Sequence, residues 1–128
     1  MPLTGRTRVA GVIGSPIRHS LSPAIFNAAF AASGLDWMYA AFDVPAGDAG
    51  GALAGMRALG LGGLSVTMPH KDAVAALVDE LSDDAAALGA VNCVVPVPGG
   101  RLRGESTDGP GFVDSLRDAG VDPARQRC

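Results

Sequence analysis

A chain of 128 residues, 48% hydrophobic and 18% charged, is long enough for one domain with a proper core and too apolar for a solvated disordered segment. Its formal charge of −3, with scattered lysine and arginine, offers no basic stripe to a nucleic acid, and its apolar runs are too short and broken to span a membrane. MPLTGRTRVAGVIG lacks the apolar core of a signal peptide, and Cys93 and Cys128 make no disulfide framework, so a reducing cytoplasm is the expected setting.

The first element expected is a buried strand, RVAGVIG at 8–14, entering a Gly-Ser-Pro turn. Ser22 stands before Pro23 as the N-cap of a helix whose Ile25, Phe26, Ala29 and Phe30 recur at helical spacing and which Gly34 closes. WMYAAFDV at 37–44 reads as a second strand. The spacing of Leu53, Met56 and Leu59 gives a helix over 46–59, weakened by its glycines. LGGLSVT at 61–67 is a third strand leading to a helix that starts near Pro69, with Ala73, Val74, Leu77 and Val78 on its apolar face. Ser82 caps a short helix ending at Gly89. AVNCVVPV (90–97), the turn PGG and RLRGES (101–106) read as a hairpin, and Thr107 or Asp108 caps a last helix carrying Phe112, Val113 and Leu116, closed by Gly120. Alternating strands and helices predict an α/β three-layer sandwich: a mostly parallel sheet with one antiparallel strand, and helices on both faces.

In such sheets ligands bind outside the carboxyl ends of the strands. Three junctions fall there: SPIRHSLSP after the first strand, SVTMPHK after the third, and ESTDGPGF after the hairpin. With Asn92 they gather Ser20, Ser22, Thr67, Lys71, Asn92, Thr107 and Asp108. Hydroxyls and an amide with one cation and one carboxylate suit a small polyhydroxylated acid. Taken singly, most have ordinary uses: Ser22, Thr67 and Asp108 as caps, Ser20 as a solvated loop residue, Lys71 as a surface cation. His70 and His19 have no assigned role, and no metal site is expected. Lys71 is the odd one, because the dipole disfavours a cation in the first turn of a helix. A helix N-terminus lowers a lysine pKa and a neighbouring Asp108 raises it, which together would tune the amine for proton exchange with a substrate hydroxyl.

GSPIRHSLSP, SVTMPHK, LGAVNCV and GESTDGPGF occur in an order and spacing that strongly resembles shikimate dehydrogenase, over residues 9 to about 120. The resemblance implies an NADP-dependent oxidoreductase of the chorismate pathway that reduces 3-dehydroshikimate to shikimate. It also implies a first domain for substrate and a second, Rossmann domain for the dinucleotide. Carried over by motif, Ser20 and Ser22 hold the substrate carboxylate and Thr67 and Asn92 its ring hydroxyls. Lys71 is the general acid/base at the C3 oxygen and Asp108 its partner, also in contact with substrate. Asp83 falls where the family carries an acidic residue assigned to the cofactor side. The chain has Ser65 and Ser106 where the family usually has asparagine, His70 where it usually has Phe or a similar residue, and Cys93 where it usually has Thr. Shorter hydroxyls for amides keep quinate open as the alternative substrate. No G-x-G-x-x-G follows a strand. Residues 1–122 are therefore expected to be the substrate-binding domain and 123–128 the start of a linker to a cofactor domain elsewhere. The partners implied are the small-molecule substrate and NADP, and a homodimer is compatible with the family. The rival reading is a stand-alone shikimate- or quinate-binding regulatory module.

Overall fold

The computed structural model describes residues 2–107. The elements run β1 (Arg8–Gly14), α1 (Ser22–Ala32), β2 (Trp37–Asp43), α2 (Ala49–Leu59), β3 (Leu64–Val66), α3 (Lys71–Leu77), β4 (Glu80–Leu81), α4 (Asp83–Leu88), β5 (Cys93–Val97) and β6 (Arg101–Glu105). They form one six-stranded sheet of order β2-β1-β3-β5-β6-β4. β1 pairs in parallel with β2 and β3, and β4 with β6; β5 runs antiparallel to both β3 and β6. Among the described strands it is the single reversed one, as the alternation and the hairpin predicted.

The near-continuous apolar run of β1 follows from its inner position, with both faces covered. Successive side chains of a strand point to opposite faces. Ala10 and Val12 accordingly pack with Ile17 and Tyr39, against Phe30 of α1 and Trp37. Ile13 points the other way, into a larger core with Leu64, Val66, Val94 and Leu102 of the sheet and Leu53, Met56, Val74 and Ala85 of α2, α3 and α4. Helices thus cover both faces, giving the three layers. Leu53 and Met56 are each 1% exposed; burying one such side chain contributes about 1.5–3 kcal/mol.

Local chemistry differs from expectation at several ends. Ser22 is the first helical residue rather than the cap: Leu21 holds that position without a side-chain bond, and the Ser22 N–H donates to Ser20 Oγ at 3.2 Å. α2 begins at Ala49, after the turn in which the Asp48 N–H donates to the Pro45 carbonyl. β3 is only Leu64–Val66, and α3 starts at Lys71 with His70 as its N-cap, because Thr67–His70 forms a turn closed by the His70 N–H on the Thr67 carbonyl at 3.0 Å. β4, which no pattern suggested, is two residues long and joins the outer edge of β6. Ser82 caps α4 as expected, its Oγ accepting from the Ala85 N–H, and Gly89 closes it at φ 64°. The helix expected after Thr107 lies outside the described residues.

Candidate functional site

The first two loops, the described start of the third (105–107) and Asn92 lie at one edge of the sheet. β1, β3 and β6 share a direction, so Ser15, Thr67 and Ser106 leave their strands at that edge. Because β5 is reversed, its beginning lies there too, and this places Asn92 beside the end of β3. The loops are tied to one another by backbone bonds. Thr67 N–H donates to the Ile13 carbonyl at 3.0 Å, Ser15 N–H to Met68 at 3.1 Å, and Val66 N–H to Asn92 at 2.8 Å. Both loops pass through a cis X-Pro bond, Ser15–Pro16 and Met68–Pro69.

Gly14 allows the first and second loops to approach. A Cβ at that position would fall inside the van der Waals distance of Thr67 Cγ2 and 3.0 Å from Ile17 Cδ1. Ser20 and Ser22 follow in the same loop, half-buried, with Ser20 Oγ already holding the Ser22 N–H. An oxygen that accepts this bond keeps its proton for a donor role.

Lys71 is half-buried as the first residue of α3, and its backbone carbonyl accepts from the Val91 N–H at 3.1 Å. It borders an open groove of about 240 Å³ with Met68, Pro69, Asp72 and Ala90. His70, without a role in the sequence reading, is 1% exposed, and its Nε2 lies 2.6 Å from the Val44 carbonyl. A carbonyl only accepts, so Nε2 carries the proton in this contact. Val44 in turn donates its N–H to the Gly14 carbonyl at 3.0 Å. His70 therefore joins the start of α3 to the ends of β2 and β1, and Lys71 sits on a braced turn. The signal available in sequence was only a histidine where the resembled family usually has Phe or a similar residue.

Asn92 and Thr107 form a reciprocal pair: Asn92 Nδ2 donates to Thr107 Oγ1 at 2.7 Å, and Thr107 N–H donates to Asn92 Oδ1 at 3.1 Å. Asp108 lies outside the described residues, as does its expected meeting with Lys71. Asp83 opens α4 and is exposed on the same sheet edge, but after β4. Three strand spacings separate β4 from β3, roughly 14 Å. The structure thus brings Thr67, Lys71, Asn92 and the Ser20–Ser22 loop to one edge and leaves Asp83 at its flank.

Two of the unusual residues are engaged in packing. Ser65 Oγ accepts from Tyr39 OH at 2.7 Å on the α1 side of the sheet, and burial pushes the Tyr39 phenol up despite that bond. Ser106 is 5% exposed. Cys93, half-buried beside them, has its thiol pushed up by burial and then by Glu105. No group of three or more His, Cys, Asp or Glu among the described residues is placed to hold a metal, and no helix among them is long and apolar enough to cross a membrane.

Fold and site define an α/β domain that gathers hydroxyls, an amide and a lysine at the carboxyl ends of its strands. The family model described as the shikimate dehydrogenase substrate binding domain matches residues 12–94, and the chain belongs to this family. It is 53% identical over 117 residues to the shikimate dehydrogenase (NADP(+)) of Symbiobacterium thermophilum, covering 91% of this chain and 40% of that relative. Among solved structures it resembles shikimate 5-dehydrogenase of Listeria monocytogenes, solved in complex with shikimate and NAD. The TM-score is 0.89 and the identity 44%, over 95% of this chain and 42% of that one. It also resembles 5-ketofructose reductase of Gluconobacter sp. strain CHM43, with TM-score 0.84 and 34% identity over 90% and 41% of the two chains. The chain therefore spans about two fifths of the length of these relatives.

Proposed function

We propose that this chain is the substrate-binding half of an NADP-dependent shikimate dehydrogenase, which interconverts 3-dehydroshikimate and shikimate in aromatic amino-acid biosynthesis. The observation that carries the reading is the convergence of Thr67, Lys71 and the Asn92–Thr107 pair at one sheet edge, beside the loop of Ser20 and Ser22. Ser20 and Ser22 bind the substrate carboxylate, and Thr67 and Asn92 its ring hydroxyls. Lys71 takes the proton of the C3 hydroxyl on oxidation and returns it on reduction. Asp108 is assigned by its motif as the partner that holds the lysine. Asp83, at the flank, is the residue assigned to the cofactor side. Residues 1–122 form the substrate-binding unit, with 123–128 leading towards the cofactor's share of the enzyme.

The dinucleotide itself does not fit the described residues. The loops after β1, β2 and β3 carry prolines rather than a Gly-rich strand-to-helix turn, so they supply no cradle for a pyrophosphate. What this chain contributes is substrate orientation and the proton. Ser65 is held by Tyr39 and Ser106 is buried, and quinate stays the alternative substrate. A second reading draws on the Gluconobacter neighbour, whose name places a different polyhydroxylated ketone on the same fold. Both readings are tested by joining this chain to the downstream part of the Symbiobacterium relative and assaying NADP+ reduction with shikimate, quinate and fructose. Shikimate oxidation is expected, and Lys71→Ala lowers kcat about 10²–10⁴-fold, the usual weight of acid/base catalysis. Turnover by Lys71→Ala within a few-fold of the parent contradicts the assignment, and preference for fructose selects the second reading.

A further inference from the structure

Thr107 makes two bonds to one side chain. Its N–H meets Asn92 Oδ1 at 3.1 Å and its Oγ1 meets Asn92 Nδ2 at 2.7 Å. A primary amide can turn by half a rotation and exchange its oxygen and nitrogen at little steric cost. At Asn92 that exchange is penalised, because the nitrogen would face the Thr107 N–H. The Asn92 backbone is fixed as well: its N–H donates to the Glu105 carbonyl at 3.0 Å and its carbonyl accepts from Val66 at 2.8 Å. Both the backbone of Asn92 and its amide are thus held by neighbours at the ends of β3 and β6. Thr107 itself is exposed, so its hydroxyl is not needed to satisfy a buried group.

We propose that Thr107 is a positioning residue: its hydroxyl and N–H clamp the Asn92 amide in the one orientation that meets a ligand hydroxyl. This rests on the reading of Asn92 as a ligand-binding residue. It extends the site to a side chain whose contribution is the pre-alignment of another. Pre-alignment lowers the ordering cost of binding, so the loss of the clamp appears in affinity while the fold is kept.

The test is a titration of the 128-residue chain with shikimate, followed by amide NMR, for the parent, Thr107→Val, Thr107→Ser, Asn92→Ala and the double variant. Valine keeps the shape and removes the hydroxyl. Thr107→Val keeps the N–H that sets which way the amide faces and removes the hydroxyl that holds its nitrogen in place; losing that second anchor is expected to weaken shikimate about tenfold, the size of one lost hydrogen-bond partner. Thr107→Ser should stay within about twofold of the parent. In the Asn92→Ala background, Thr107→Val should add nothing, since residues that act as a unit are not additive. Melting temperatures of the two Thr107 variants should agree, which separates clamping from a general structural role. The inference is overturned if Thr107→Val binds as the parent does, or weakens binding equally with and without Asn92. If the parent itself shows no saturable binding, the shikimate reading fails and the inference falls with it, a result distinct from failure of the variants alone.

Discussion

Lys71 occupies a position that a free-standing helix would not choose for a cation, and the surrounding residues show how that position is held. Its carbonyl bonds Val91, and the preceding His70 is pinned through Nε2 to Val44. The lysine is therefore the first helical residue after a turn fixed on two sides. Gly14 sets the other boundary of the site, since only a residue without Cβ lets Thr67 pack on the end of β1. Gly14→Ala must push Thr67 away or distort β1, at a cost of about 1–3 kcal/mol for overpacking. Urea denaturation should show that loss, with the amide signals of Thr67 and Met68 displaced. An unchanged midpoint would mean that the two loops are less closely coupled than the geometry indicates. The residues that the sequence singles out for their chemistry, Thr67, Lys71 and Asn92, do lie together, whereas the supports, His70 and the Ser20–Ser22 bond, are not legible in it. Their importance arises from partners distant in sequence, and no local periodicity reports such partners.

Among the elements, the long ones followed from pattern and the short ones did not. β1, β2 and α1 carry enough apolar repeats for their period to be read, and their observed limits lie within one residue of expectation, with Gly34 closing α1 at φ 67°. β4 has two residues, too few to show any period, and Asp79 just before it is bonded to Leu102 of its partner strand β6. Asp79 N–H donates to the Leu102 carbonyl at 3.0 Å, and its Oδ2 accepts from the Leu102 N–H at 2.7 Å and from Arg57 at 2.9 Å. One carboxylate thus links α2, the end of α3 and the hairpin. The Leu102 N–H, then the Arg57 guanidinium, hold the Asp79 carboxyl below the usual carboxylate value of 3.8. A depressed folded-state pKa contributes stability that is fully present above 3.8 and is lost as pH falls through the folded value. Melting temperatures measured from about pH 6 to about pH 2.5 should therefore fall less steeply in Asp79→Asn than in the parent. Parallel curves would remove Asp79 from the acid response of the fold.

At the scale of the whole molecule, one reversed strand makes the site. β5 runs against its neighbours, so its start and the ends of the other five described strands lie on a single edge, and residues 67, 71, 92 and 107 gather there although the sequence spreads them over forty positions. The alternation of strands and helices made the layered architecture readable in advance, and the four motifs made the family readable. The pairing order was not, because it depends on which edges meet in space. We propose that this edge binds shikimate through the chain's own side chains. The most direct measurement is an amide NMR titration of the 128-residue protein with shikimate. Saturable shifts at Ser20, Ser22, Thr67, Lys71 and Asn92, with Arg57, Asp79 and the β5–β6 turn unmoved, are the predicted result. A well-folded protein whose edge residues stay still at millimolar shikimate, or whose shifts fall at the opposite end of the sheet, would contradict it.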